Sequence, residues 1–218
     1  MISAKKLSKS VSLQEAHFTI LQPTDLDIPA GSSCAVVGPS GSGKSTLLAL
    51  LAGLDSPTSG TVTLSGVNIT NLNEEAKARF RRDHIGFIFQ NFQLMPTLTA
   101  LENVALPLQL QGRRDAQAVA KQWLAKTGLS HREQHLPALL SGGEQQRVAV
   151  ARAFASEPAI LFADEPTGSL DGHNGEQVLA LMFDLNADKQ TTILLVTHDQ
   201  RVADRCDRQI ALVDGRLQ

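Results

Sequence analysis

The chain has 218 residues, 42% of them hydrophobic, and a formal net charge of −2. That length suits one α/β domain with a small inserted lobe, and the composition excludes a disordered chain. The near-neutral charge excludes a global basic field for nucleic acid or anionic lipid, and the longest apolar runs, such as Leu47 to Ala52, fall far short of the about 20 residues of a membrane span.

Met1 to Ser10 carries lysines with no apolar stretch after them, so no signal peptide is expected, and any membrane role must come through partners. Phe18 to Leu21 reads as an alternating strand, and Ser33 to Val37 as a short strand apolar on both faces. A helix is predicted from Ser45 to Ala52, stopped by Gly53. Thr61 to Leu64, between the turn glycines Gly60 and Gly66, joins Phe18 to Leu21 in a small antiparallel layer. Ile85 to Phe89 is the next buried strand.

The section from about Asn91 to Leu140 differs in character. Pro96, Pro107 and Pro137 interrupt it, and Arg113 to Thr127 places Ala116, Val119, Ala120, Trp123 and Thr127 on one helical stripe ended by Gly128. A helix opens at Leu140-Ser-Gly-Gly and runs to about Ala155, with Val148, Ala151, Arg152 and Ala155 spaced for a packed face. Ala159 to Ala163, Thr192 to Val196 and Ile210 to Val213 complete the apolar strands. Strands alternating with helices predict an α/β fold with a mostly parallel sheet. The expected organisation is one domain, with residues 1–90 and 152–218 as core and 91–151 as an inserted helical lobe; no further C-terminal domain is expected. Cys34 and Cys206 lack metal-ligand spacing and read as buried or cytosolic thiols.

Three motifs carry chemistry. Gly38-Pro39-Ser40-Gly41-Ser42-Gly43-Lys44-Ser45 fits G-x-x-x-x-G-K-[ST], with a strand before it and a helix after it. Glycines let the backbone wrap phosphates, and the loop amides and helix start supply positive potential. Lys44 would reach the β- and γ-phosphates, Ser45 would hold Mg²⁺, and Thr46 would assist at the α-phosphate. The apolar strand before Asp164-Glu165 delivers two carboxylates to its C-terminal end, where open α/β sheets bind ligands. Asp164 would steady Mg²⁺ and Glu165 would act as general base on water, although alone such a pair could simply open a turn at Pro166. Ser141-Gly142-Gly143 at a helix start offers a hydroxyl, bare amides and a helix dipole, which suits either a terminal phosphate or an ordinary N-cap. Because the chain already has Lys44 for its own nucleotide, a second phosphate binder suggests service to another molecule's nucleotide.

These residues resemble the ATP-binding cassette (ABC) ATPases over essentially the whole chain. "GPSGSGKST" resembles the Walker A loop, "AILFADE" Walker B and "LSGGEQQR" the signature motif. Gln90 is similar to the Q-loop glutamine, Ser169-Leu170-Asp171 to the D-loop and His198 to the switch histidine. The resemblance implies a P-loop NTPase (RecA-like) core and a head-to-tail homodimer around two ATP. Walker A, Walker B, Gln90 and His198 of one subunit would face Ser141, Gly142 and Gly143 of the other. Gln90 would link Mg²⁺ and the attacking water to the helical lobe, and His198 would contact the γ-phosphate. The family usually stacks adenine on an aromatic residue where this chain has Val11; His17 or Phe18 could stand in, although Phe18 reads equally well as core. Weaker purine discrimination is the expectation.

Within the superfamily, "ADEPTGSLD", "IFQNFQLMPTLTALENV" and "LAGLDSPTSG" resemble the macrolide-exporter and lipoprotein-release group, and within it the YbbA-like subgroup. That likeness implies a cytoplasmic subunit on the inner face of the plasma membrane, paired with a permease bearing a periplasmic domain. Phe92 to Val104 would form much of the groove for that permease, though Phe92, Leu94, Met95, Leu98 and Val104 equally suit a lobe core. A nucleotide-dependent scaffold that moves no substrate carries the same motifs. A chromosome-associated ATPase is disfavoured, since no heptad run or basic stripe interrupts the lobe.

Overall fold

The structure, a computed structural model, describes residues 1–13 and 16–218, without the side chains of residues 12, 13, 16, 17, 188 and 189. In chain order the elements are β1 (Ile2–Leu13), β2 (Ala16–Ile28), β3 (Ser33–Val37), α1 (Lys44–Leu51), β4 (Ser59–Leu64), β5 (Val67–Asn68) and α2 (Glu74–His84). Then follow β6 (Ile85–Phe89), α3 (Ala100–Leu110), α4 (Ala116–Lys126), α5 (Gly142–Ala155), β7 (Ile160–Asp164) and α6 (Gly172–Lys189). The chain continues through β8 (Thr192–Thr197), α7 (Gln200–Ala203), β9 (Arg208–Val213) and β10 (Arg216–Leu217). They form two compact units, Met1–Arg81 with Thr192–Gln218, and Arg82–Thr191.

In the first unit β3 lies between β8 and β9 and is parallel to both, with Val37 opposite Thr197 and Ala211. Cys34, Ala35 and Val36 are buried, as their two-sided apolar character requires. β1, β2, β4 and β5 make the antiparallel layer, with β1 between β2 and β4. β1 is not among the strands expected from the sequence. Ile2, Ala4 and Leu7 are buried, and register shifts around Lys6, which has φ 48, break the period-two pattern that would have revealed the strand.

In the second unit β6 and β7 pair in parallel, Phe89 opposite Asp164. α5 packs against α3, α4, α6 and β6, and Val148 to Ala151 and Ala153 to Ala155 are buried. The expected stripe on α4 is present: Ala116, Ala120, Trp123 and Thr127 are buried, Val119 is half-buried, and Gly128 takes φ 73 just beyond the end. Pro107 corrects the reading of that region as broken by prolines, because α3 runs through it. A Thr99–Glu102 capping box fixes the start of α3, and its buried face packs on α4 and α5. The proline removes one intrahelical bond, from position 107 to the Asn103 carbonyl, and the packing of α3 carries the helix through it. Val104 is fully buried core, whereas Met95 is 48% exposed. Cys34 and Cys206 are free thiols, and burial pushes them up to about 11 and about 12, so both stay protonated.

Candidate functional site

β3 ends at Val37 and the chain turns through Gly38 to Gly43 into α1. Two glycines are sterically required in this turn. A Cβ on Gly38 would lie 2.1 Å from the Leu212 carbonyl oxygen of β9, and Gly43 holds φ 100 directly before the helix. α1 has no side-chain cap and no acidic residue in its first turn, so the positive end of its dipole is not met by a side-chain carboxylate there. The Ser42 hydroxyl is buried without a hydrogen-bond partner, and Lys44, only 8% exposed, donates to the carbonyls of Gly38 at 2.9 Å and Pro39 at 3.0 Å. A loop lined by amides, a lysine and an orphaned hydroxyl fits a polyphosphate. Pro39, Ser40, Gly41 and Ser45 are exposed, and Thr46 is half-buried.

β8 runs alongside β3 with Thr197 opposite Val37, so His198 leaves the sheet at the same end as Gly38, one strand away or about 5 Å. His198 is exposed, and Asp199 behind it caps α7. On β2, the Cγ2 of Ile20 would lie 3.6 Å from a Cβ on Gly43, so this strand face looks toward the glycine loop. Phe18 lies opposite Val11, beyond the register shift in this strand, and is 54% exposed, which corrects the reading of Phe18 as core. The His17 side chain lies outside the described residues.

In the second unit the register of Phe89 against Asp164 makes Gln90 and Glu165 leave the strand pair at the same end. Glu165 takes φ 47, a left-handed conformation that a carboxylate residue rarely adopts and that is often found at reacting groups. Its carbonyl accepts from Gly168 at 3.0 Å, closing a turn over which the Gln90 side chain lies: a Cβ on Gly168 would meet Gln90 Nε2 at 2.9 Å. Gln146 from α5, fully buried, donates to the Pro166 carbonyl of the same turn.

Ser141 is the N-cap of α5, exposed, in a reciprocal box with Glu144. The Ser141 amide and hydroxyl donate to Glu144 Oε2 at 2.8 and 2.9 Å, and Arg132 donates to Oε1 at 2.8 Å. These bonds, chiefly that from the Ser141 amide, hold the Glu144 carboxyl at about 2. The N-cap reading is therefore realised, and Gly142 stays half-buried at the helix start. Asp171 caps α6 and accepts from Asn174 Nδ2 at 2.7 Å. Asn174 in turn presses on the signature: a Cβ on Gly143 would lie 2.9 Å from its Oδ1. Asn174 carried no sequence signal of its own, Gln146 was quoted within the signature motif without a role, and Arg152 was counted as a packing position although it donates to the carbonyls of Phe92 and Gln93.

A strand, a glycine loop that only glycine fits and an uncapped helix define a P-loop nucleotide-binding protein. The chain belongs to the ABC transporter family, whose family model matches residues 21–168, and it is accordingly an ABC-type ATPase. It is 52% identical to the ABC transporter ATP-binding protein YbbA of Escherichia coli (strain K12) over 220 residues, covering 100% of this chain and 96% of that protein. It is 46% identical to the lipoprotein-releasing system ATP-binding protein LolD of Legionella pneumophila (strain Lens) over 219 residues, with the same coverage. Among solved structures it is similar to the dimeric ATP-binding cassette MJ0796 in a post-hydrolysis state bound to ADP and Pi, with a TM-score of 0.93, 40% identity and coverage of 100% of this chain and 97% of that one. No helix among the described residues is long and apolar enough to cross a membrane.

Proposed function

We propose that two copies of this chain close head to tail around two ATP molecules and thereby drive a membrane permease bearing a periplasmic domain, from the cytoplasmic face of the plasma membrane, in export, extraction or mechanical transmission. The observation that carries this reading is that one chain has two glycine-bearing helix starts, α1 behind the glycine loop with no side-chain cap, and α5, where Gly142 and Gly143 follow the exposed Ser141. One serves the chain's own triphosphate; the other is left for its twin's. Dimeric MJ0796 and the lipoprotein-releasing LolD support the dimer and the membrane task respectively.

In this reading Gly38 to Gly43, Lys44, Ser45 and Thr46 cradle the phosphates, and Ser141, Gly142 and Gly143 of the other protomer cap the γ-phosphate. Asp171 acts at the seam through Asn174. Glu165 accepts the proton of the water whose oxygen attacks the γ-phosphorus, and the β,γ-bridging oxygen leaves with ADP. His198 contacts the γ-phosphate. The exposed ring of Phe18 is the surface for the base. Among the described residues no three His, Cys, Asp or Glu cluster as a metal site, which suits Mg²⁺, a cation that takes few carboxylates and keeps phosphate oxygens and waters. The Ser45 hydroxyl, the Gln90 amide oxygen and the Asp164 carboxylate are the oxygen donors that fit it. When bound, Mg²⁺ neutralises the charge developing on the β- and γ-oxygens. Residues 1–90 and 152–218 work as the nucleotide core, and 91–151 as the lobe that meets the permease, with Met95 as an exposed apolar member.

Glu165→Gln tests the assignment. Turnover should fall about 10²–10⁴-fold with ATP affinity kept, and the variant should elute as an ATP-dependent dimer by light scattering. A monomer that hydrolyses ATP at the wild-type rate with Ser141 and Gly142 both replaced would refute it.

A further inference from the structure

The loop that follows Gln90 is held in an unusual way. Phe92 and Gln93 are consecutive non-glycine residues in the left-handed region, with φ 57 and 47. Such a pair persists only where the surroundings over-determine it. What over-determines it is Arg152: its two terminal nitrogens donate separately to the Gln93 carbonyl at 2.6 Å and the Phe92 carbonyl at 2.9 Å. The guanidinium is half-buried, and burial lowers its pKa from the ordinary value, so the two carbonyls replace water that the charge has lost. Arg152 stands on α5 ten residues after Gly142, about 15 Å along the helix. At the other end of that helix the Phe92 ring returns to Gly142, 3.7 Å from where a Cβ would sit. The loop bearing Gln90 thus touches α5 at both its start and its third turn.

We propose that Arg152 is a positioning residue for Gln90, a fork that fixes the strained 90–93 loop to α5 so that the glutamine and the Ser141-Gly142 start move as one body. A planar fork is required, since two carbonyls must be met at fixed separation and a lysine ammonium presents a single point. The inference rests on Gln90 serving the Mg²⁺ and water end of the nucleotide site. It assigns Arg152 no contact with ATP.

The test is a double-mutant cycle on the full chain with Gln90→Ala and Arg152→Ala, reading kcat, the Mg²⁺ concentration for half-maximal ATPase and ATP affinity without Mg²⁺. Arg152→Ala should lower kcat by about tenfold or more and raise the Mg²⁺ requirement severalfold, while metal-free ATP affinity, set by the glycine loop, stays within about twofold. The double variant should be no worse than Gln90→Ala alone, because the clamp acts only through the glutamine. Arg152→Lys should fall between, and it carries the cycle if the alanine variant fails to fold. Additive losses with a defective Gln90→Ala would overturn the role of Arg152 alone. A Gln90→Ala enzyme with wild-type kinetics would overturn the assignment of Gln90 and the clamp with it.

Discussion

Glu144 offers the most quantitative test of how the signature helix is held. Its carboxyl drops from 4.5 to about 2, first because the Ser141 amide donates to it and then because Arg132 and the Ser141 hydroxyl do. At 1.36 kcal/mol per pH unit that interval corresponds to about 3 kcal/mol. Ser141 faces solvent, so screening by water reduces the figure to about 1–2 kcal/mol, the range of a helix cap. In Glu144→Gln the amide oxygen can still accept from Ser141, but the charge and the ion pair with Arg132 are gone. Urea denaturation at pH 7 should show a deficit of about 1–2 kcal/mol against wild type. The sign with pH follows from a depressed folded value: the advantage is complete above 4.5, fades as pH falls, and is gone by about 2. The two proteins should therefore converge as the pH is lowered from 5 toward 3. A gap that is absent at pH 7, or constant across that range, would show that the Glu144 charge does not hold the helix start.

Three further substitutions separate steric from chemical roles. Gly38→Ala places a carbon 2.1 Å from a backbone carbonyl, so the loop must shift: stability should fall by about 1–3 kcal/mol, about 3–10 °C in melting temperature, and ATP binding should be lost. Phe18→Ala should weaken ATP binding by about five- to a hundredfold, the worth of one base–aromatic stack, with stability kept because the ring is exposed; comparing ATP with GTP in the same titration measures how far the ring discriminates purines. Gly143→Ala meets the Asn174 side chain, Oδ1 at 2.9, Cγ at 3.1 and Cβ at 3.3 Å, and should cost about 1 kcal/mol while displacing Asn174, seen as reduced ATP-dependent dimerisation of the Glu165→Gln protein in light scattering.

The glycine loop was legible because its chemistry is local: strand, turn and helix start are contiguous in sequence, and each residue's task follows from its immediate neighbours. The strands β3, β6, β7 and β8 were legible because burial on both faces leaves an unbroken apolar run. β1 was not, since the bulge at Lys6 changes which residues face the core partway along. Pro107 misled because the packing of α3 on α4 and α5 outweighs the one backbone bond that the proline removes, and that packing is tertiary. Arg152 misled for the reason that makes it useful: its spacing matches the buried face of α5, and a buried arginine is distinguished from a packed one only by partners sixty residues away. Phe18 kept two readings until its 54% exposure removed it from the core, which the sequence around it could not decide.

The links on α5 explain why the signature sits on a helix at all. Glu144 fixes Ser141, Gln146 holds the Pro166 turn beside Glu165, and Arg152 holds the loop beyond Gln90. Each reaches a segment with irregular backbone, and two of those segments carry left-handed non-glycine residues at Glu165 and at Phe92-Gln93. Loops of this kind do not keep a strained geometry unaided. α5 can impose it because the helix is buried along most of its length and close-packed against three helices and a strand, and so resists bending. A displacement at its Ser141 end must then be carried to the turn of Glu165 and the loop of Gln90 without loss in the helix. On this argument Glu165 and Gln90, in the roles proposed for them, answer to whatever binds at Ser141, and the coupling needs no mobile part other than α5 itself.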